Sequence, residues 1–439
     1  MQIYLVGGAI RDKLLGRPVK ERDYLVTGAT TDDMLALGYR QVGRDFPVFL
    51  HPETHAEYAL ARTRRESATA GRPHAHPSVT LEQDLARRDL TINAIAETSS
   101  GELIDPFGGV EDLRRRVLRH VSPAFAEDPI RVLRVARMMA RYADLGFTVA
   151  EETLSLMQQL VDEGRLDGLV SERVWQELIG ALGASDPRPF FETLRRCGAL
   201  ARVLPEIDAL FGVPQPTHWH PEVDCGVHTL MALGVACELS DSLEVRFATL
   251  THDLGKANTP SHILPSHYGH EERGTRRIER LCRRLKAPNR FRELAVSCAR
   301  YHGYTHRLYE LRAKTVLKLL MGLDAFRRPQ RLRQFLLVCE ADYRGRQGFH
   351  GRPYPQADDL WRLYEVARGV SLGAEATADS GWLRGQAIQR ARLRRVCVAM
   401  AELADRSGSA AETVEDTEAG DIGADGGAQG AEKEDQQGA

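Results

Sequence analysis

Across the first 120 residues, short apolar runs alternate with segments of helical periodicity. Gln2–Val6, Tyr24–Val26, Pro47–Leu50 and Glu57–Ala61 read as strands, each brief and bounded by turn residues. Ala9–Leu15 and Asp32–Leu37 read as helices, the second opened by the capping residues Thr30–Thr31. Residues 64–79 are polar and rich in Gly and Pro, the composition of a loop. Beyond about residue 125 the spacing becomes helical throughout. It predicts helices over 127–142, 151–162, 171–182, 224–239, 243–253, 269–286, 289–301, 312–320, 332–343 and 384–404, with no strand among them. The pattern is that of an α+β fold, a mixed sheet with helices followed by an all-helical body. Four prolines between Pro205 and Pro221 mark the best internal boundary. The expected divisions are a head over 1–125, helical regions over 126–205, 222–330 and 331–406, and a disordered Gly/Ala/acidic tail over 407–439.

Composition narrows the class. Hydrophobic residues make up 43% and charged residues 27%, a globular balance, and no apolar run approaches the ~18 residues that span a bilayer. Arg11 and Asp12 interrupt the N-terminus too early for a secretory core, and the seven cysteines include no C-x-x-C pair. The expectation is a cytoplasmic protein with reduced thiols. The net charge of −2 conceals an asymmetry. Residues 407–439 carry −8, leaving +6 on the rest, almost all of it Arg, whose planar fork suits phosphates.

Candidate chemistry sits in four places. In LVGGAIRD, Gly7-Gly8 ends a strand and opens a helix, so backbone N–H groups can approach a phosphate with Arg11 one turn in. Glu21 and Asp23 stand at i and i+2 at the start of the next strand, pointing to one face, and two such carboxylates suit Mg²⁺. Arg87-Arg88-Asp89 follows a helix whose Leu81, Leu85 and Leu90 point inward. In EDPIRVLRVAR, Asp128 and Arg131 lie i, i+3 on one expected helical face that Arg134 and Arg137 extend. A separate set lies in the helical body: His228, then His252-Asp253, then a His-rich stretch with His267 and His270. Two helices there can bring imidazoles and a carboxylate to one metal.

VGGAIRD, KERDYLV, VGRDFPVFL, RRDLTINAIA, IDPFGG and EDPIRVLRVAR, in this order, resemble the class II tRNA nucleotidyltransferases, the CCA-adding enzymes. Over residues 1 to about 400 the chain is most similar to their bacterial multifunctional branch, which carries an HD phosphohydrolase domain; GVHTLMAL and FATLTHDLGK resemble that domain. The resemblance implies addition of CCA to tRNA from CTP and ATP without a template, with no membrane and no obligate protein partner. It implies Gly8 and Arg11 at the triphosphate, Glu21 and Asp23 on Mg²⁺, Arg88, Arg134 and Arg137 as further nucleotide contacts, and Asp128 and Arg131 reading the base. His228, His252 and Asp253 would hold Ni²⁺ or another divalent transition metal for phosphatase, 2′-nucleotidase or 2′,3′-cyclic phosphodiesterase activity. Gly303 stands where some relatives have Asp, so one carboxylate fewer is expected there. Two readings compete: a poly(A) polymerase of the same superfamily, against which the acidic tail argues, and an HD-type signalling phosphohydrolase with a nucleotide-sensing head.

Overall fold

The computed structural model describes residues 1–19, 21–42, 48–64, 73–371 and 381–418. The chain opens with β1 (Gln2–Val6), α1 (Gly8–Leu14), β2 (Asp23–Thr27), α2 (Thr31–Ala36), β3 (Arg40–Val42), β4 (Val48–Leu50) and β5 (Glu57–Leu60). Then come β6 (Arg62–Arg64), β7 (Pro73–Ala75), α3 (Leu81–Leu85), β8 (Ala96–Glu97), β9 (Leu103–Ile104), α4 (Gly109–Arg115) and β10 (Val117–Leu118). Seven strands form one mixed sheet in the order β3-β4-β5-β2-β1-β8-β9, with β2 and β5 parallel and every other pair antiparallel. Val6, Leu25, Leu85 and Ala96 fill one face, and Val26, Met34, Phe49 and Leu60 the other. The sheet alternates apolar residues to both sides because helices and loops cover both.

The helical body comprises α5 (Arg131–Arg141), the two-residue strand β11 (Thr148–Val149), α6 (Glu151–Asp162), α7 (Ser171–Leu182), α8 (Arg188–Arg196), α9 (Ala199–Val203) and α10 (Pro205–Asp208). It continues through α11 (Cys225–Leu239), α12 (Leu243–Thr251), α13 (His270–Arg284), α14 (Asn289–His306), α15 (Ala313–Gly322), α16 (Pro329–Arg344), α17 (Pro355–Arg368) and α18 (Gly381–Glu418). Helix α5 is central. Val132, Leu133, Val135, Ala136 and Ala140 are buried, and it packs on α7 and α8. Residues 1–302 with 333–354 make one compact unit, and residues 303–332 with those from Pro355 onward make a second, in which α15 and α17 pack on α18.

Three expectations need correction. The segment 64–79 is not all loop: β6 and β7 pair across it as an antiparallel ribbon, while 65–72 lie outside the described residues. The body is not strand-free, since β11 pairs in parallel with β10; a two-residue strand carries no periodic signal. Helix α18 runs on to Glu418, so the tail expected to be disordered from 407 begins as helix in an Ala- and Glu-containing stretch of adequate propensity. Residues 419–439, and Pro47 of the expected third strand, lie outside the described residues.

Candidate active sites

The turn after β1 sets the geometry of the head. Gly7 has φ +73° and ψ −131°, a conformation that glycine adopts readily, and α1 starts at Gly8. A Cβ on Gly7 would lie 3.0 Å from Arg88 Nη1, and one on Gly8 3.2 Å from Arg11 Nη2. The missing side chains thus make room for two guanidinium groups. Asp23, the first residue of β2, pairs with Val6 just before this turn and with Glu57 on β5. Glu21 lies two residues before β2 begins, not within it, and both carboxylates are exposed. Although the residue is exposed, partial desolvation of its carboxyl by the surrounding protein raises Asp23 above its ordinary value; Arg88 opposes the rise and the charge of Glu21 adds to it.

Beside this turn opens a cleft of about 660 Å³, lined by Arg11, Arg62, Arg87, Arg88, Arg131, Arg134 and Arg173 against Asp84, Asp89, Glu127 and Asp128. Its arginines are mostly fixed in advance. Arg11 is buried, donating to Asn93 Oδ1 (2.5 Å) and Asp12 Oδ1 (3.0 Å). Arg88 donates to the Asn93 carbonyl at 3.2 Å and pairs with Asp84 at 3.4 Å. Asp89 accepts from the Leu90 amide and Asn93 Nδ2 and pairs with Arg134 at 2.8 Å. Burial works to raise the Asp89 carboxyl, yet Arg134, Asn93 and Leu90 together hold it below its ordinary value.

The base-reading pair expected on one helical face is arranged otherwise. Asp128 is extended (φ −129°, ψ 96°), as suits a residue before proline, and α5 starts only at Arg131. Asp128 grips Arg173 of α7 through both oxygens (3.1 and 2.6 Å). Arg131 spends its donors on the carbonyls of Ala124 (2.7 Å) and Arg87 (2.5 Å). Arg137 is not brought to the cleft: its Nε pairs with Glu177 of α7 at 2.6 Å, and its stem lies on Gly180. Reading by spacing missed Arg62, Arg173 and Asn93. Asp89 was visible in RRD, but its role in holding Arg134 was not.

The second cluster is buried. His228 lies in the first turn of α11, His252 caps α12 with Asp253 after it, His270 opens α13, His302 lies on α14 and Asp342 on α16. His228 Nε2 is 3.0 Å from Asp342 Oδ1, and its Nδ1 is 2.9 Å from Glu222. His252 Nε2 is 3.2 Å from Asp253 Oδ2, which Lys256 Nζ approaches at 2.6 Å. The Nε2 atoms of His270 and His302 lie 3.4 Å apart, and each is 3.6 Å from Asp253 Oδ1. The Nδ1 atoms of His252, His270 and His302 each face a backbone carbonyl (Thr249, His267 and Cys298), which only accepts. Their hydrogens therefore sit on Nδ1, and the Nε2 lone pairs of His270 and His302 converge on the orphaned, buried Asp253 Oδ1. Lone pairs facing one another beside an unpaired carboxylate oxygen fit a cation. Among the described residues, three of the four histidine–carboxylate sets able to hold one contain His252 or Asp253, and the fourth joins His220, Glu222 and His228.

Burial pushes His302 down to about 3 and His220 to about 4, the latter against the pull of Glu222. Burial also works to lower His252, but Asp253 and Asp342 outweigh it and lift it to about 9. Gly303 brings no carboxylate of its own, and the structure places a different one in the cluster: Asp342, 39 positions further on, lies 3.0 Å from His228 where no local pattern announced it.

Residues 3–119 match the family described as poly A polymerase head domain, 146–211 the probable RNA and SrmB-binding site of polymerase A, and 226–343 the HD domain. The chain is 60% identical over 406 residues to a multifunctional CCA protein of Thioalkalivibrio sulfidiphilus, covering 92% of this chain and 98% of that one. It is 59% identical to the multifunctional CCA protein of Nitrosococcus oceani, covering 88% and 95%. In fold it is similar to a CCA-adding enzyme solved with ATP (TM-score 0.62, 18% identity, 90% and 86% covered). It is likewise similar to the Bacillus stearothermophilus CCA-adding enzyme with CTP (TM-score 0.58, 23% identity, 93% and 94% covered).

Proposed function

The chain belongs to the multifunctional CCA proteins, and on that premise we propose how its cleft and its histidine–aspartate cluster divide the work. It adds the 3′-terminal CCA to tRNA from CTP and ATP without a nucleic-acid template, and it depends on divalent metal. The observation that carries the assignment of residues is the arginine-lined cleft beside the Gly7-Gly8 turn, with Asp23 opposite Val6 just before that turn and within reach of the charges of Arg88 and Glu21.

The tRNA 3′-oxygen attacks the α-phosphorus of the nucleotide, loses its proton to solvent, and the bond to pyrophosphate breaks. Mg²⁺ held by Glu21 and Asp23 would supply charge stabilisation at the attacking and leaving oxygens. The Asp23 carboxyl, raised first by partial desolvation and further by the charge of Glu21, is the state a cation relieves. Arg11 and Arg88 face the Gly7-Gly8 turn, where they neutralise the triphosphate without reorganising. Asp89 keeps Arg134 aimed into the same cleft. Asp128 reads the base by accepting from cytosine N4 or adenine N6, with Arg173 steering the carboxylate. Arg131 acts chiefly by joining the Arg87 and Ala124 segments, and Arg137 by fixing α5 to α7.

The helical cluster is a metal-dependent phosphohydrolase site held by His228, His252, Asp253 and Asp342, with His270 and His302 beside them. Imidazoles mixed with carboxylates suit Ni²⁺, Co²⁺ or Mn²⁺ better than Mg²⁺. Water adds to phosphorus of a 2′,3′-cyclic phosphate or monoester, one P–O bond breaks, and the freed hydroxyl keeps the proton. The enzyme works on these substrates in the cytoplasm. Size analysis of tRNA ending before C, C or A, given CTP and ATP singly and together, tests the first activity. Two C and one A must be added and no more; open-ended AMP addition would favour the poly(A) reading instead.

A further inference from the structure

Buried arginines in this fold are generally given acceptors. Arg246, 4% exposed, donates to the carbonyls of Leu182, Ala184 and Ser240, and Arg11 is met by Asn93 and Asp12. Arg346 is the exception. It is 9% exposed, its Nε is enclosed with no acceptor, and no carboxylate among the described residues forms an ion pair with it. An enclosed Nε–H with no acceptor, on a charged group with no ion-pair partner among the described residues, is costly to keep.

Its neighbours are fixed to the histidine–aspartate cluster. One turn earlier, Asp342 meets His228 at 3.0 Å. One residue later, the Gln347 amide donates to Glu222 Oε2 at 3.1 Å, and Oε1 of the same carboxylate lies 2.9 Å from both His220 and His228. Gly345 packs so closely on α11 that a Cβ there would lie 2.4 Å from the Cα of Ala232, one turn after His228. The guanidinium itself lies 5.5 Å from the centre of the Tyr343 ring, and its charge acts on His220.

We infer that Arg346 is the anion-binding residue of this centre, a subsite for the non-bridging oxygens of a phosphoryl group presented to the cluster. A planar fork of donors matches two phosphate oxygens at once, which an ammonium cannot do. The ligand class is a phosphate monoester or cyclic phosphate, and the incoming anion supplies the counter-charge that the fold withholds. The inference rests on the phosphohydrolase reading of the centre.

The full-length chain loaded with Mn²⁺ is titrated with inorganic phosphate by calorimetry, alongside Arg346→Met and Arg346→Lys. Methionine keeps much of the buried stem and removes the charge. Phosphate affinity should fall about ten- to hundredfold in Arg346→Met and be partly restored in Arg346→Lys. Mn²⁺ affinity, read by electron paramagnetic resonance, and CMP addition to tRNA should stay as in the parent. Unchanged phosphate affinity in Arg346→Met overturns the inference, as does loss of Mn²⁺ from both variants or absence of phosphate binding in the parent. Phosphate bound through Arg346 with no ester hydrolysed by any metal would leave the anion subsite standing and refute the hydrolase reading.

Discussion

The cleft of the head and the centre of the helical body solve opposite electrostatic problems. In the cleft, positive charge is in excess, and each arginine we have traced is braced by a carbonyl or a carboxylate while facing open space. Glu21 and Asp23 are exposed, with Asp23 opposite Val6 at the end of β1. In the body, His228, His252, Asp253 and Asp342 are withdrawn from water; against the effect of burial, Asp253 and Asp342 raise His252, and His252 and Lys256 lower Asp253. The difference teaches where each site's specificity resides. The cleft presents braced guanidinium groups whose charge suits a polyanion, whereas the buried cluster presents imidazole and carboxylate donors whose chemistry suits a cation.

The sharpest way to break this comparison is to remove one half at a time. Asp23→Ala or Glu21→Ala should lower CMP incorporation by about a thousandfold or more, because neither remaining carboxylate can hold the metal charge alone. Both residues are exposed, so the thermal midpoint should hardly move, and hydrolysis of 2′,3′-cyclic AMP should persist. Retained incorporation would misplace the metal site of the head. His252→Ala should do the reverse, reducing cyclic phosphate hydrolysis by about a hundredfold or more and sparing CMP addition. Asp342→Ala should match it in activity and lose more stability, since His228 is then left without its Nε2 partner. Should Asp342→Ala keep its metal, the fourth ligand lies elsewhere.

A smaller effect is expected from Asp128→Ala. Uracil O4 and guanine O6 would meet the carboxylate with no proton between them, so removing it should relax exclusion of UTP and GTP about ten- to hundredfold. Competition between labelled nucleotides measures this, and unchanged discrimination would show that the base is read by other groups. The smallest effect is on pH-dependent stability in the metal-free chain. His302 and His220 have folded values near 3 and 4, below the unfolded value of 6.5, so the unfolded chain binds more protons between these limits. Their contribution is present above pH 6.5 and fades as pH falls toward 3. Asp89 is lowered from an ordinary carboxyl value, so its loss begins only below about pH 4. Hydrogen exchange followed from pH 7 to 3 should therefore show α14, which carries His302, and the segment around His220 before α11 loosening before α5 does; simultaneous loosening would contradict the assigned shifts.

How much of this was legible depended on sequence distance. The strand–turn–helix at Gly7-Gly8, the capped α2 and the long amphipathic helices follow from local patterning, and they appear within a few residues of expectation. Short elements such as β8, β9 and β11 were not legible, because two residues carry no period. Asp128 and Arg131 were read as one helical face because their spacing allows it; Pro129 keeps Asp128 extended, and the helix starts three residues later. Arg137 continued the same stripe, yet Glu177 of α7 claimed it.

The sequence by itself determined which residue types stand at short range: the glycine turn, the acidic pair, the RRD run and the His-Asp dipeptide. Their chemistry needs only neighbours within a turn of helix or a strand repeat. The tertiary structure alone decided the partners drawn from afar. Asp342 reaches His228 across 114 positions, Arg173 reaches Asp128 across 45, and Arg346 is left with no carboxylate in an ion pair among the described residues and an enclosed Nε without an acceptor. Charge pairing acts over a few ångströms of space whatever the separation along the chain, so packing rather than periodicity selects which charges meet.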